Sequence, residues 1–339
     1  MGQSGSKQCI EELGMVFWKT YPIYRIIESL YHHEVFHPQL VEKEPMASPT
    51  ESPMERVKQD ATEVRAFLRH HFGNPPHTPY LDIPEHLLCG PSDHVFVVRD
   101  KENRIVGSIR YHYLGGFLTS EDEPMYIVDC FCIHPDWRRQ GLGDYLLTEL
   151  NRYVNHNDIP YSLFLKEGKP VSRIAPSYYT GMYVYRELTS KKASMYLMDL
   201  TTSEAHRLMD MHRSFPTPHV MIRKKAVEDC TTEQWKWYRK KGQSVLICVQ
   251  DTYQRQMKDG RVKKLGWCTA WLESPCLTDE FRGEAACALA DDVFPQFDYL
   301  WMNQAWVGNS DWTVDGPFHW YTYQWTSSVK MDHSYAIIS

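Results

Sequence analysis

The chain has 339 residues, of which 42% are hydrophobic and 24% are charged, and this globular composition excludes a wholly disordered protein. Its 37 Lys and Arg against 43 Asp and Glu give a net charge of −6, which argues against general nucleic-acid binding. The sequence shows neither a secretory signal nor an apolar run that could span a bilayer, so we expect a cytoplasmic protein of two or three domains.

The first residues match an acylation signal. Gly2 would become the N-terminal residue once Met1 is removed, and Ser6 stands where N-myristoylation favours a small hydroxyl residue. Lys7 and Cys9 add a positive charge and a second acylation site, so this segment would allow peripheral membrane association. A flexible, unmodified terminus is the alternative that the sequence leaves open.

A Pro- and Ser-rich linker over 45–53 precedes the first predicted helix. Ser52 and Glu55 form a capping box around a proline at the first helical position. Apolar residues then recur at helical spacing over 57–68, and the sequence GNPP at 73–76 ends the pattern. We therefore predict that this helix begins directly after the linker.

The following segments predict a β-hairpin, a central strand, a helix and one more strand. Residues 94–99 and 104–114 have strand composition and are separated by a short turn. Residues 125–133 are mostly apolar, which favours a central position in the sheet. The apolar spacing over 146–154 predicts a helix, and 161–165 has the composition of a strand.

The second half of the sequence repeats this plan loosely. A hairpin, a helix and two strands are predicted at 245–249 with 265–272 (joined by a long loop over 251–260), 280–293, 299–302 and 318–325. Gly107 and Gly266 hold corresponding positions in the two hairpins. This predicts two related α/β halves, and chance similarity between hairpins is the alternative.

The nine cysteines are scattered without the spacing of a zinc site, so we expect reduced thiols and no metal. Cys130 and Cys132 lie one residue apart in the predicted central strand. Their side chains would share a face, but further ligands are missing nearby, so structural thiols are the favoured interpretation.

The strongest local motif follows the central strand. Arg138, Gly141 and Gly143 form the pattern R-x-x-G-x-G at the start of the predicted helix. Such glycines let the backbone curl around an anion, and the helix N-terminus offers free N–H groups and a positive dipole end. Neither a Walker loop nor the dinucleotide fingerprint fits the spacing, and the motif predicts a pyrophosphate cradle.

This strand, turn and helix resemble motif A of the acyl-CoA-dependent N-acyltransferases. A closer resemblance links the chain to the N-myristoyltransferase family, because 128–134 (VDCFCIH) followed by 138–143 is similar to that family's central segment. Further similar segments occur in the family's order at 17–22 (FWKTYP), 83–88 (IPEHLL), 183–188 (YVYREL) and 320–325 (WYTYQW) with the closing 337–339 (IIS).

The resemblance implies an α/β fold of two pseudo-twofold-related acyl-CoA N-acyltransferase-like halves, with a mixed twisted sheet flanked by helices. It implies a flexible N-terminus over 1–16, an acyl-CoA-binding half over 17–190 and a peptide-binding half over 191–339. The implied activity is that of a glycylpeptide N-tetradecanoyltransferase, with myristoyl-CoA as the donor substrate and no permanently bound cofactor. Its implied partners are peptides and proteins with an N-terminal glycine.

The resemblance also implies a set of site residues. The amides of Cys130 and Phe131 would form the oxyanion hole, the C-terminal carboxylate of Ser339 would be the base, and Asp129 would assist as an acceptor or second base. A pairing of Asp129 with a basic side chain is equally open. The implied coenzyme A contacts are Phe17, Trp18, Cys132, Ile133, Arg138, Arg139, Gln140, Gly141, Leu142 and Gly143.

The chain also departs from the family's pattern. Residues 73–77 (GNPPH) carry no carboxylate where the family has an acidic run, and Leu165 replaces a threonine that helps to position the amine. Two alternatives therefore stay open, namely a short-chain N-acetyltransferase and a non-catalytic acyl-CoA or lipid-binding protein. The resemblance of the chain's own N-terminus to a substrate further predicts self-myristoylation at Gly2.

Overall fold

The computed structural model describes residues 39–40, 54–58, 60–73, 80–117, 124–157, 159, 161–170, 179–212, 222–223, 233–323 and 325–326. The strands are β1 Gln39–Leu40, β2 Met54–Val57, β3 Tyr80–Leu81, β4 His94–Arg99, β5 Ile105–Phe117, β6 Pro124–Ile133, β7 Tyr161–Glu167, β8 Tyr179–Glu187, β9 Leu197–Leu200, β10 Ile222–Arg223, β11 Gln234–Lys240, β12 Gln243–Lys258, β13 Arg261–Glu273, β14 Tyr299–Asn303, β15 Thr313–Tyr323 and β16 Trp325–Thr326. The helices are α1 Thr62–His71, α2 Glu85–Leu88, α3 Leu142–His156, α4 Thr202–His212 and α5 Asp279–Val293.

One large mixed sheet contains two copies of the same arrangement. In the first copy β4, β5 and β6 are antiparallel neighbours, and α3 then crosses over to β7, which is parallel to β6. In the second copy β11, β12 and β13 are antiparallel, and α5 crosses over to β14, which is parallel to β13. The predicted α/β fold, with a mixed sheet flanked by helices, is therefore confirmed.

The two copies exchange their next strands. β8 follows β7 in sequence but pairs with β14, while β15 follows β14 and pairs with β7. The order from β7 to β14 is thus β7-β15-β8-β14, with every neighbour antiparallel. The halves form one continuous sheet, and the division at residue 190 stays a prediction.

The predicted correspondence between Gly107 and Gly266 is wrong. β5 corresponds to β12 and β6 to β13, because in each half the third strand leads into the crossover helix. Gly107 lies on β5 and Gly266 on β13, so the two glycines do not correspond. The long loop predicted over 251–260 is also wrong, since β12 continues to Lys258 before it turns.

Helices cover both faces of the sheet. Leu146 of α3 and Leu289 of α5 are buried in cores on one face. Leu68 of α1 and Met209 of α4 are buried in cores on the opposite face. Register partners share a face and side chains alternate along each strand, so the pairings of β6, β7, β15, β8 and β14 fix these assignments.

The first predicted helix begins later than its capping pattern indicates. Residues 54–57 form β2, whose Met54 and Val57 pair with Val98 and Val95 of β4, and α1 starts only at Thr62. The apolar residues read as one helical stripe therefore belong to two elements. Within the described residues, no helix has the length and apolar character needed to cross a membrane.

Candidate functional site

The sheet opens in its first half, between β6 and β7. Their parallel pairing runs from Met125 to Val128 on β6 and ends at the pair of Val128 with Phe164. Beyond this point β6 continues on β5 to Ile133, and β7 continues on β15 to Glu167. The strands therefore part, and the gap connects the face that carries α3 with the face that carries α1 and α2.

A β-bulge lies where the gap opens. The register of β5 against β6 passes from Arg110 opposite Asp129 directly to Ser108 opposite Cys132, so β6 holds one residue more than β5 there. Cys130 has a φ of 48°, and the side chain of Phe131 is 40% exposed. A bulge of this kind takes residues out of the ladder, so their backbone amides can serve another acceptor.

The turn after β6 leaves a helix N-terminus uncapped. Gly141 is the N-cap of α3 with a φ of 82° and no side chain to accept from the helix. Within the described part of the chain, the first amide bonded at this end is that of Tyr145, which donates to the Gly141 carbonyl at 3.0 Å. A Cβ built on Gly141 would meet nothing within 4 Å. The geometry fits a phosphate on the helix N-terminus.

The two arginines of the motif differ in role. Arg138 donates from Nε to the Ile133 carbonyl and from Nη2 to the His71 carbonyl, each at 3.0 Å, so it ties α1 to the end of β6. Arg139 is exposed beside the turn with a φ of 65°. Arg138 therefore braces the turn, while the exposed Arg139 can approach an anion from the solvent side.

Histidines border this turn on the side of α1. The rings of His71 and His134 have centroids 4.4 Å apart. Burial, with the charges of His134, His70 and Arg138, lowers the pKa of His71 below its usual value. The folded chain thus favours the neutral form of His71.

The other coenzyme A residues named from the sequence lie in the same region. The side chain of Ile133 packs on the start of α3, since its Cδ1 would be 3.2 Å from a Cβ on Gly143. Gln140 is exposed and donates to the Asp136 carbonyl at 2.6 Å, and Leu142 packs on the core below α3. The structure therefore brings the 130–143 segment together at one end of the gap.

The two neighbouring thiols are poor nucleophiles. Cys130 and Cys132 are buried beneath α1 and α2. Burial raises the pKa of Cys132 to about 12 and that of Cys130 well above its ordinary value, so neither forms a thiolate at neutral pH. Their interpretation as structural strand residues agrees with this burial. Among the described residues no group of His, Cys, Asp or Glu is placed to hold a metal ion.

Asp129 forms the ion pair that the sequence analysis left open. Arg110 donates from Nε and Nη2 to the two carboxylate oxygens of Asp129, at 2.7 and 2.5 Å. The Asp129 side chain stays 31% exposed, whereas Arg110 is buried. Two charged hydrogen bonds fix the orientation of this carboxylate, so the geometry favours a role as acceptor. Sequence reasoning missed Arg110, whose signal was a charged residue within a predicted strand.

The second half has the gap and the bulge but lacks the cradle. β13 parts from β14 after Trp267, and the extra residue of its bulge is Thr269. The N-cap of α5 is Thr278, whose Oγ1 accepts from the Phe281 amide at 3.2 Å. Asp279 and Glu280 lie in its first turn, so this helix start is capped and acidic. A phosphate site is therefore supported only in the first half of the described chain.

Several residues named from the sequence lie outside the described residues. They are Gly2, Phe17, Trp18 and Ser339.

Comparison with known proteins agrees with this geometry. Residues 62–182 match the model of the acetyltransferase (GNAT) family. No curated protein sequence matches the chain. A structure of Saccharomyces cerevisiae N-myristoyltransferase with bound myristoyl-CoA has a TM-score of 0.66 and 13% identity, over 96% of this chain and 98% of that chain. Another, with inhibitors bound as well, has a TM-score of 0.67 and 13% identity, over 94% and 92%.

Residues 62–182 are thus similar to a GNAT acetyltransferase domain, and the chain has the acyl-CoA N-acyltransferase fold. The matched residues include the gap, the bulge and the turn into α3. At 13% identity, the likeness to N-myristoyltransferase establishes the fold alone.

Proposed function

We propose that the chain transfers a myristoyl group from myristoyl-CoA to the N-terminal glycine amine of protein substrates. The observation that carries this proposal is the convergence, at one end of β6, of a sheet gap, a bulge and an uncapped helix N-terminus. An acyltransferase that uses coenzyme A needs an anion site, a passage for the thioester and amide donors for its oxygen. The extended likeness to N-myristoyltransferase supports the longer acyl chain.

The anion site would take the pyrophosphate of coenzyme A. The amides of 139–143 and the dipole of α3 favour the negative charge, and Gly141 leaves the approach open. The exposed side chain of Arg139 would add a positive charge on the solvent side of the pyrophosphate. Phe17 and Trp18 would contact the remainder of coenzyme A, as the family resemblance implies.

The bulge would stabilise the developing charge of the reaction. Attack of an amine on the thioester forms a tetrahedral oxyanion, which the amides of Cys130 and Phe131 would bind. Loss of one such donor costs roughly 2.7–4 kcal/mol of transition-state stabilisation in other acyl-transfer enzymes. Because the Cys130 thiol has a raised pKa, the acyl group would pass directly to the amine without an acyl-enzyme.

The acceptor amine must lose a proton before it attacks. An unperturbed α-amino group has a pKa of about 7.7–8.0, so most of it is charged at neutral pH. The carboxylate of Ser339 would take this proton as the base. Asp129, held by Arg110 and partly exposed, would accept a hydrogen bond from the ammonium and orient it.

The decisive experiment incubates the chain with a Gly-initiated peptide and a series of acyl-CoA donors from acetyl to palmitoyl. We expect thiol release and an acylated peptide by mass spectrometry, with the highest kcat/KM for myristoyl-CoA. The same peptide with an acetylated N-terminus is the control and should stay unmodified. Absence of both products with every donor would refute the proposal, while bound acyl-CoA without turnover would identify a lipid-binding protein.

A short-chain N-acetyltransferase is the second candidate, and the match of 62–182 to the acetyltransferase model favours it. It predicts that acetyl-CoA gives the highest kcat/KM in the same series. Extension of the chain beyond Ser339 by a tag should abolish turnover only if the terminal carboxylate is the base.

The N-terminal signal extends the proposed function to the chain itself. We propose that Gly2 is myristoylated, in the same or a sister chain, and that the chain then associates with membrane surfaces from the cytoplasm. One myristoyl chain binds weakly, with a constant of about 10⁴ M⁻¹, so a second signal such as acylated Cys9 is needed for firm attachment. The intact mass after coexpression with acyl-CoA supply tests this, and an unmodified Gly2 refutes it.

A further inference from the structure

Two side chains of β5 form hydrogen bonds with the residues at the beginning of the β6 bulge. Ser108 is fully buried, and its Oγ donates to the Cys130 carbonyl at 3.0 Å. Arg110 donates to both oxygens of Asp129, the residue directly before Cys130. Ser108 and Arg110 are also the β5 residues whose register partners flank the bulge. Two polar side chains of β5 therefore form hydrogen bonds with the bulged segment of β6.

Other residues hold the guanidinium of Arg110 in position. Its Nη1 donates to the Leu87 carbonyl at 2.6 Å and lies 3.9 Å from Oδ2 of Asp93. The Oδ1 of Asp93 accepts from His112 Nδ1 and from the Tyr113 amide, each at 2.9 Å. Burial opposes the charge of Asp93, but the His112 hydrogen bond and the charges of His112 and Arg110 lower its pKa below the usual value. The guanidinium thus lies between the carboxylates of Asp93 and Asp129.

We propose that Ser108 and Arg110 are positioning residues for acyl transfer, because they fix the direction of the Cys130 and Phe131 amides. This inference rests on the proposed function. Cys130 has a φ of 48°, which L residues adopt only where neighbouring contacts stabilise it. Without the Ser108 bond the carbonyl of Cys130 loses its buried donor, and the following peptide is free to rotate. The bulge would persist, but its two amides would no longer both point towards the position of the oxyanion.

Loss of this amide orientation would weaken transition-state stabilisation and leave the affinity for acyl-CoA unchanged. Oxyanion donors act at about 2.7–3.1 Å, and a misplacement of about 1 Å can lower a rate about 100-fold. The phosphate cradle lies beyond the bulge, at 138–143, and keeps its own contacts. We therefore expect a split between kcat and the affinity for acyl-CoA.

The experiment compares Ser108→Ala with Thr269→Val. Thr269 lies in the corresponding bulge of the second half, and its buried Oγ1 has no hydrogen-bond partner among the described residues. Both variants remove one buried hydroxyl. We expect Ser108→Ala to lower kcat about 10- to 100-fold with an unchanged Kd for myristoyl-CoA. Thr269→Val should leave kcat and Kd unchanged.

Arg110→Lys gives a second measurement, because lysine keeps the charge but cannot form the two-pronged contact. We expect a lower kcat and an unchanged Kd for myristoyl-CoA here too. An unchanged kcat in Ser108→Ala, or a parallel loss of acyl-CoA binding, would overturn the positioning role. A wild-type chain that binds myristoyl-CoA but acylates no peptide would instead refute the proposed function.

Discussion

Replacement of Gly141 by alanine should weaken acyl-CoA binding, whereas the same replacement at Gly242 should not. Gly141 has a φ of 82° and Gly242, in the turn between β11 and β12, has a φ of 83°. A Cβ built on either glycine meets nothing within 4 Å. Both substitutions therefore carry the same left-handed strain, about 1–2 kcal/mol of unfolding free energy, without a steric clash.

Only the methyl group on Gly141 would lie at the N-cap of α3, where the pyrophosphate is proposed to approach the amides. We expect Gly141→Ala to raise the Kd for myristoyl-CoA at least about tenfold, or ~1.4 kcal/mol, and Gly242→Ala to leave it unchanged. Isothermal titration gives the two Kd values, and urea unfolding checks that both variants lose similar stability. Equal Kd values in the two variants would refute the assignment of the cradle.

Three further predictions concern reactivity and stability. Iodoacetamide at pH 7.5 should label the exposed Cys276 in the folded chain. Cys132, whose pKa is raised to about 12 by burial, should be labelled only after unfolding. Peptide mass spectrometry measures both, and labelling of Cys132 in the folded chain would contradict the prediction. Arg282→Met should cost about 3 kcal/mol in urea unfolding, because Glu273, 8% exposed, would lose both of its 2.7 Å contacts; a loss below about 1 kcal/mol contradicts this. The pKa of His71 is lowered in the folded chain, so its contribution to the free energy of unfolding is complete above the unfolded pKa near 6.5 and falls as the pH drops. His71→Gln should therefore reduce the pH dependence of the unfolding free energy between about pH 7 and 5. An unchanged slope would contradict this.

Local patterns predicted most strands and helices but failed where pairing decided the structure. The strands at 94–99 and 125–133 and the helix at 280–293 lie within one or two residues of their predicted positions, because each has its own hydrophobic period. The capping pattern at Ser52 favoured a helix, but Val57 pairs with Val95, so a strand forms there. Strand pairing joins distant residues, and a local cap cannot indicate it.

The candidate site divides in the same way. The cradle at 138–143 depends on a short segment, and its glycines and helix start are legible in the sequence. The contacts of Arg110 with Asp129 and Asp93 join residues far apart in the chain, so they depend on the register of β5 and β6. The sequence offered only an arginine within a predicted strand, and no sequence pattern indicated the bulge.

The two halves share one arrangement but differ at the start of the crossover helix. Both halves retain a parting pair of strands and a bulge, so the repeat alone does not create an anion site. The chemistry changes at the helix start, where Gly141 leaves the amides of α3 open and Thr278 caps α5. Asp279 and Glu280 add negative charge to the first turn of α5 and would disfavour a phosphate there. Among the described residues, an uncapped helix start therefore follows a sheet gap only in the first half.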